Sequence, residues 1–157
     1  MRFASLGSGS RGNATLVTYG ETTLMVDCGF SAREAEKRLH RLNIDPRQLS
    51  AVLITHEHAD HMAGIRVLAR RYNLPVYATP GTAGCLPADV TGLVHEFNCH
   101  ETFSIGDIEV EPFPVPHDAR EPSQFVFGNG QHRLGLLTDV GSITPLIEST
   151  LSGCDAL

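Results

Sequence analysis

The chain has no run of apolar residues approaching the 20 or so needed for a membrane-spanning helix, so no membrane partner is expected. Its first residues, Met1 to Gly7, contain no apolar segment of signal-peptide length, and the expected address is cytoplasmic. Cysteine is sparse and scattered. Cys28, Cys85, Cys99 and Cys154 form no C-x-x-C pair, which argues against a zinc ribbon or a disulfide framework and for reduced, mostly buried thiols. The glycine-rich stretch from Gly7 to Asn13 lacks the Lys-Ser/Thr ending of a Walker phosphate loop. Positive charge is also short: the formal net charge is -6, and Arg120 and Arg133 are the only basic residues after Pro80. That balance by itself argues against a strong, sequence-blind grip on nucleic acid. Arg33, Lys37, Arg38, Arg41, Arg66, Arg70 and Arg71 could build a local basic face, although such residues ordinarily form solvated helix surfaces.

What the chain does have is a concentration of metal-ligating side chains. After the apolar run Ala51 to Ile54 comes Thr55-His56-Glu57-His58-Ala59-Asp60-His61, with four donors in one short segment. On a helix turning about 100° per residue these offsets would scatter the donors around the circumference. The segment therefore reads as a strand running into a loop, where His56 and His58 can reach one ion while Asp60 and His61 turn toward a second. Imidazole and carboxylate together suit zinc or a similar divalent ion. The helical H-E-x-x-H arrangement is excluded, because the fourth residue after His56 is Asp60.

Along the chain, Arg2 to Leu6 reads as a strand and the following small residues as a loop that lets backbone approach something closely. Ala14 to Thr18 and Thr22 to Val26 form a hairpin by pattern. Ser31 and Glu34 have capping-box spacing before a helix with Ala32, Ala35, Leu39 and Leu42 on one face. Met62, Ile65, Leu68, Ala69 and Tyr72 predict the buried stripe of a second helix. Further strands are expected at Leu74 to Ala78, Leu93 to Phe97, Glu101 to Ile105 and Ile108 to Glu111. Two prolines carry the chain from Phe113 to His117, and Gln124 to Phe127 and Arg133 to Leu137 flank a hairpin turn. Thr144 to Leu151 is a helix candidate, and Cys154 to Leu157 resembles the first residues of a strand. The ligand candidates sit where strands end, a common way for a rigid sheet to fix several donors.

The His56-x-His58-x-Asp60-His61 cluster resembles the H-x-H-x-D-H signature of the metallo-beta-lactamase superfamily. The resemblance extends to Leu6-Gly7-Ser8-Gly9-Ser10-x-Gly12-Asn13, Val26-Asp27-Cys28-Gly29, Val115-Pro116-His117-Asp118-Ala119 and Leu137-Thr138-Asp139-Val140-Gly141. In combination these are similar to the YycJ/WalJ-like branch of the superfamily. His58 also sets the chain apart from the di-iron redox branch, which has a carboxylate there.

The resemblance implies an α/β fold, a four-layered αββα sandwich formed by residues 1–157 as one domain with its second half incomplete. It implies that His56, His58 and His117 ligate one ion, that Asp60 and His61 hold a second, and that Asp139 bridges both. The ion would be zinc, one or two per chain, with manganese and iron the other candidates. Asp27 would orient a ligand imidazole or simply cap its strand. Complete members supply a further histidine to the second ion from a later loop, and this chain resembles a truncated member without it. The implied function is a hydrolase using a metal-activated hydroxide, a phosphodiesterase or nuclease acting on DNA, with Asp60 or Asp139 as proton acceptor. Thioester or lactam hydrolysis at the same site, or a non-catalytic metal-binding fragment, are the alternatives.

Overall fold

A computed structural model describes residues 1–157. The first sheet opens with three antiparallel strands, β1 (Arg2–Gly7), β2 (Ala14–Tyr19) and β3 (Thr22–Val26). It continues with three parallel to β3: β4 (Ala51–Leu53), β5 (Val76–Ala78) and β6 (Val94–Glu96). Helices cross between the parallel strands, as parallel pairing demands. These are α1 (Ala32–Arg41), α2 (Ala59–Met62), α3 (Ile65–Tyr72) and the one-turn α4 (Pro80–Ala83). The second sheet is antiparallel in the order β10-β9-β8-β7, with β7 (Phe103–Ile105), β8 (Ile108–Pro114), β9 (Ser123–Gly128) and β10 (Arg133–Leu136). Helix α5 (Pro145–Leu151) lies against its outer face.

Period-two side chains divide the interior into layers. Leu16, Met25, Val52 and Ile54 face Ala35, Leu39, Ile65 and Leu68 of α1 and α3. The alternate residues Val17, Leu24, Val26 and Leu53 face Ile108, Val110, Phe125 and Phe127 of the second sheet. Phe113 and Val126 on the far side of that sheet pack against Ile147 of α5. The four layers are thus helix, sheet, sheet, helix. Strands β3 and β9 are buried along their whole length because each has a covered face on both sides. No helix is long and apolar enough to cross a membrane.

Three local expectations are corrected. Ser31 Oγ accepts from Glu34 N–H at 3.3 Å, but the Glu34 carboxylate turns to Arg38 at 2.9 Å, so only half of the capping box forms. Leu42 lies beyond the end of α1 and is 43% exposed. The second helix is two helices, broken at Gly64, whose N–H bonds the Cys28 carbonyl at 2.8 Å. The basic residues of α1 and α3 are largely partnered: Arg66 and Arg70 share Asp89, Arg38 holds Glu34, and Arg71 holds Glu36.

Strand β8 runs through both Pro112 and Pro114. Its pairing with β7 ends at Val110, so one side of the strand is open beyond that point. Val115 N–H bonds back toward β9, at the Pro122 carbonyl. Odd-numbered positions therefore donate to β9, and the two prolines present their missing donors to the open side, where a proline costs no ladder bond.

Candidate metal centre

The carboxyl ends of β3, β4 and β5 lie on one edge of the first sheet because these strands run parallel. Residues 54 to 58 leave β4 as a loop, as expected. The short helix α2 then begins after His58, so Asp60 and His61 stand on a helical turn and not on the loop the spacing predicted. Between His58 and Asp60 the backbone changes direction, which is how donors that could not share one helix come together. His117 follows β8, and Asp139 follows β10 with a left-handed φ of 48°. The main-chain bond from Gly141 N–H to the Pro116 carbonyl, 2.7 Å, ties these two loops together.

Ligand atoms converge in two groups: His56, His58 and His117; and His56, His61 and Asp139. In the first, His117 Nε2 lies 3.2 Å from His56 Nε2 and 3.3 Å from His58 Nδ1. Donors at tetrahedral angles around zinc, with Zn–N of about 2.0–2.1 Å, stand about 3.3–3.4 Å apart. The trio therefore fits a tetrahedral ion with one position left open. In the second, Asp139 Oδ2 is 2.9 Å from His61 Nε2 while Asp60 Oδ2 is 3.7 Å from it. The first of these distances is that of a direct hydrogen bond and the second exceeds the tetrahedral separation, so neither pair matches that spacing as it stands.

Asp27 organises both groups from beneath. It follows β3 directly with φ 61°, and its buried carboxylate accepts from Thr55 N–H and Thr55 Oγ–H, both at 2.8 Å, and from His61 Nδ1 at 2.8 Å. Its position combines strand end and imidazole support, the two readings its sequence context offered. Because the Thr55 hydroxyl gives its proton to Asp27, its lone pair is free to accept from His56 Nδ1, 3.0 Å away. That assignment leaves His56 Nε2 bare, facing the trio.

Burial, followed by the neighbouring imidazoles, pushes His56 down to about 4, so its ring is a neutral electron-pair donor at physiological pH. Burial also works against charge on His61. The hydrogen bond it donates to Asp27 and the charges of Asp27, Asp139 and Asp60 outweigh it and raise this group. Burial raises Asp27, against its bonds to His61 and Thr55. Asp139 is held below the usual carboxylate range: burial opposes this, but the Thr138 hydroxyl and the surrounding histidines prevail.

Several positioning residues escape the sequence reading. Gln124 brackets Thr138 from both sides, its Nε2 donating to Thr138 O at 2.9 Å and its Oε1 accepting from Thr138 N–H at 3.1 Å, which fixes the turn into Asp139. A buried Gln in an otherwise apolar strand was the available signal. Glu57 Oε1 accepts the Arg120 N–H at 2.9 Å and joins the two histidine loops. Asn13 brings the glycine loop against His61. Its close approach depends on Gly29, where a Cβ would overlap the Asp60 carbonyl, and on Gly12, at φ 136°, where a Cβ would overlap the Phe30 ring. His40, His95, His100 and His132 stand on exposed surface away from both groups.

Compared with known proteins, residues 22–157 match the beta-lactamase superfamily domain. Exodeoxyribonuclease YycJ of Bacillus anthracis is 37% identical over 99% of the chain, and exodeoxyribonuclease WalJ of Streptococcus pneumoniae 34% identical over 98%. The chain spans 61% and 60% of those relatives' lengths. Among solved structures, zinc-bound PqqB from Methylobacterium extorquens superposes with a TM-score of 0.77 at 22% identity, covering 94% of this chain and 61% of that one. A family match running from the third strand to the last residue, on a helix-sheet-sheet-helix fold, makes this chain a member of the metallo-beta-lactamase superfamily.

Proposed function

We propose that the chain is a metal-dependent hydrolase of nucleic-acid phosphodiesters, with DNA as substrate and zinc as the preferred ion. His56, His58 and His117 would hold that ion, and the spacing of their three nitrogens is the observation that carries the reading. A divalent ion bound there would lower the pKa of its water from 15.7 to about 7, supplying a nucleophile at neutral pH. The chain's own groups do the rest. Thr55 and Asp27 keep the His56 lone pair aimed inward. Asp139, ionised and 38% exposed, is placed to accept the nucleophile's proton at Oδ2, and Asp60 is the other acceptor in reach. The names of the two exodeoxyribonuclease relatives support DNA over other phosphodiesters. Asp60, His61 and Asp139 would serve a second ion only after rearrangement.

The test is turnover by the zinc-loaded chain of bis-p-nitrophenyl phosphate and end-labelled DNA, set beside nitrocefin and a glutathione thioester. Phosphodiester and DNA cleavage that disappears in His58→Ala, with the fold unchanged by circular dichroism, is the expected result. Cleavage of nitrocefin or the thioester with DNA untouched would overturn the substrate. An inactive parent whose His58→Ala variant unfolds would assign the ion a structural role.

A further inference from the structure

The second half-site contains a donor where a cation would need acceptors. Asn13 Nδ2 lies 3.1 Å from His61 Nε2, 3.3 Å from Asp60 Oδ2 and 3.2 Å from the Asp60 carbonyl. The orientation of this amide is fixed from its other side. Gly9 N–H donates to Asn13 Oδ1 at 2.9 Å, and Asn13 Nδ2 donates to Gly9 O at 3.2 Å. Rotating the amide by half a turn would set an NH2 against the Gly9 N–H and an oxygen against two carbonyls. One amide hydrogen is therefore committed to Gly9, and the other faces Asp60 and His61.

Asn13 cannot drift from this place. Its N–H bonds the Asp60 carbonyl at 2.8 Å, and its own carbonyl accepts from Gly29 N–H at 2.9 Å. His61, for its part, has spent Nδ1 on Asp27, so Nε2 is the one nitrogen it could offer an ion. That is the atom the Asn13 amide approaches.

We propose that Asn13 is a built-in competitor for the second cation position, its side-chain N–H donating to the Asp60 carboxylate and its nitrogen standing beside the His61 Nε2 that a second ion would require. The glycine loop then has a function: it delivers this amide to the half-site and lowers the affinity of that half alone. The inference rests on the first trio binding an ion, as proposed above, and its test reads the two positions separately.

Zinc titration by calorimetry, with metal content per chain, is carried out on the parent, Asn13→Ala and Asn13→Asp. In Asn13→Ala the second-ion affinity is expected to rise about fivefold, the fold-change of one ordinary hydrogen bond, while the first-ion affinity stays fixed. Asn13→Asp keeps an acceptor for Gly9 N–H and exchanges the donor for a carboxylate oxygen. It is expected to raise second-ion affinity by more than about tenfold, since a charged acceptor adds to the lost competition. Unchanged or weakened second-ion binding in Asn13→Ala would show that Asn13 positions the half-site, and would overturn the proposal. If Asn13→Ala fails to fold, Asn13→Asp decides: no gain in second-ion affinity overturns it. Zero stoichiometry in all three chains, parent included, would overturn the metal reading itself.

Discussion

The two halves of the candidate centre share His56 and rest on the same aspartate, yet they are built differently. The first is three imidazoles from two loops, with the His117 nitrogen at the separation a tetrahedral ion imposes from each of the other two. The second brings one imidazole and two carboxylates to unequal distances, 2.9 and 3.7 Å, with an amide hydrogen between them. Neutral rings can approach one another without charge between them. Carboxylates instead turn to the donors already at hand, here His61, Thr138 and Asn13. A site assembled from imidazoles is therefore preorganised by packing, whereas one assembled from carboxylates must exchange internal hydrogen bonds for the ion.

The largest way to break this contrast is at the trio. Removing His117 or His58 as alanine should lower first-ion affinity by more than about 100-fold, beyond the range that supporting residues command, and calorimetric titration measures it. If either variant kept near-parental affinity, the two halves would not differ as described. Next in size is the shared scaffold. Phe125, fully buried between the sheets, should cost about 3–5 kcal/mol of stability as alanine, read by urea unfolding, with both halves lost together. Thr55→Val should act on the trio through the His56 tautomer. A loss of about 10–100-fold in first-ion affinity, with an exchange of the His56 Nδ1 and Nε2 nitrogen NMR shifts, is expected. Thr55→Ser should restore both. The smallest effect belongs to Gln124→Leu, which leaves Thr138 N–H and C=O unpaired at about 1–3 kcal/mol. It should weaken the second half only, since Asp139 is the group that turn carries.

The part of the site that lies close together in sequence was legible from sequence. Residues 56 to 61 carry four donors in one segment, and the apolar run before them marked the strand that presents them. His117 and Asp139 stood out by their strand-end positions, but resemblance to a family was needed to connect them with residues some sixty or more positions away. Thr55, Asn13 and Gln124 left no comparable trace. Their partners are long-range, Asp27 for Thr55 and Asp60 for Asn13, and a hydroxyl or amide has no periodic signature that would reveal which group it meets. The break at Gly64 was hidden for a different reason: Met62 and Ile65 are three apart, so the apolar stripe continues across a helix that does not. Leu42 was misplaced because its spacing fits the stripe of α1 although the last helical turn has already ended.

The two prolines of β8 have a bearing on how molecules of this chain meet one another in solution. An unpaired strand margin normally invites another backbone to zip alongside it, and past Val110 strand β8 has no pairing partner on that side. With no amide hydrogen at 112 or 114, an incoming strand finds carbonyls but no matching donors, so sheet-to-sheet stacking of neighbouring molecules is discouraged on the flank that leads directly to His117.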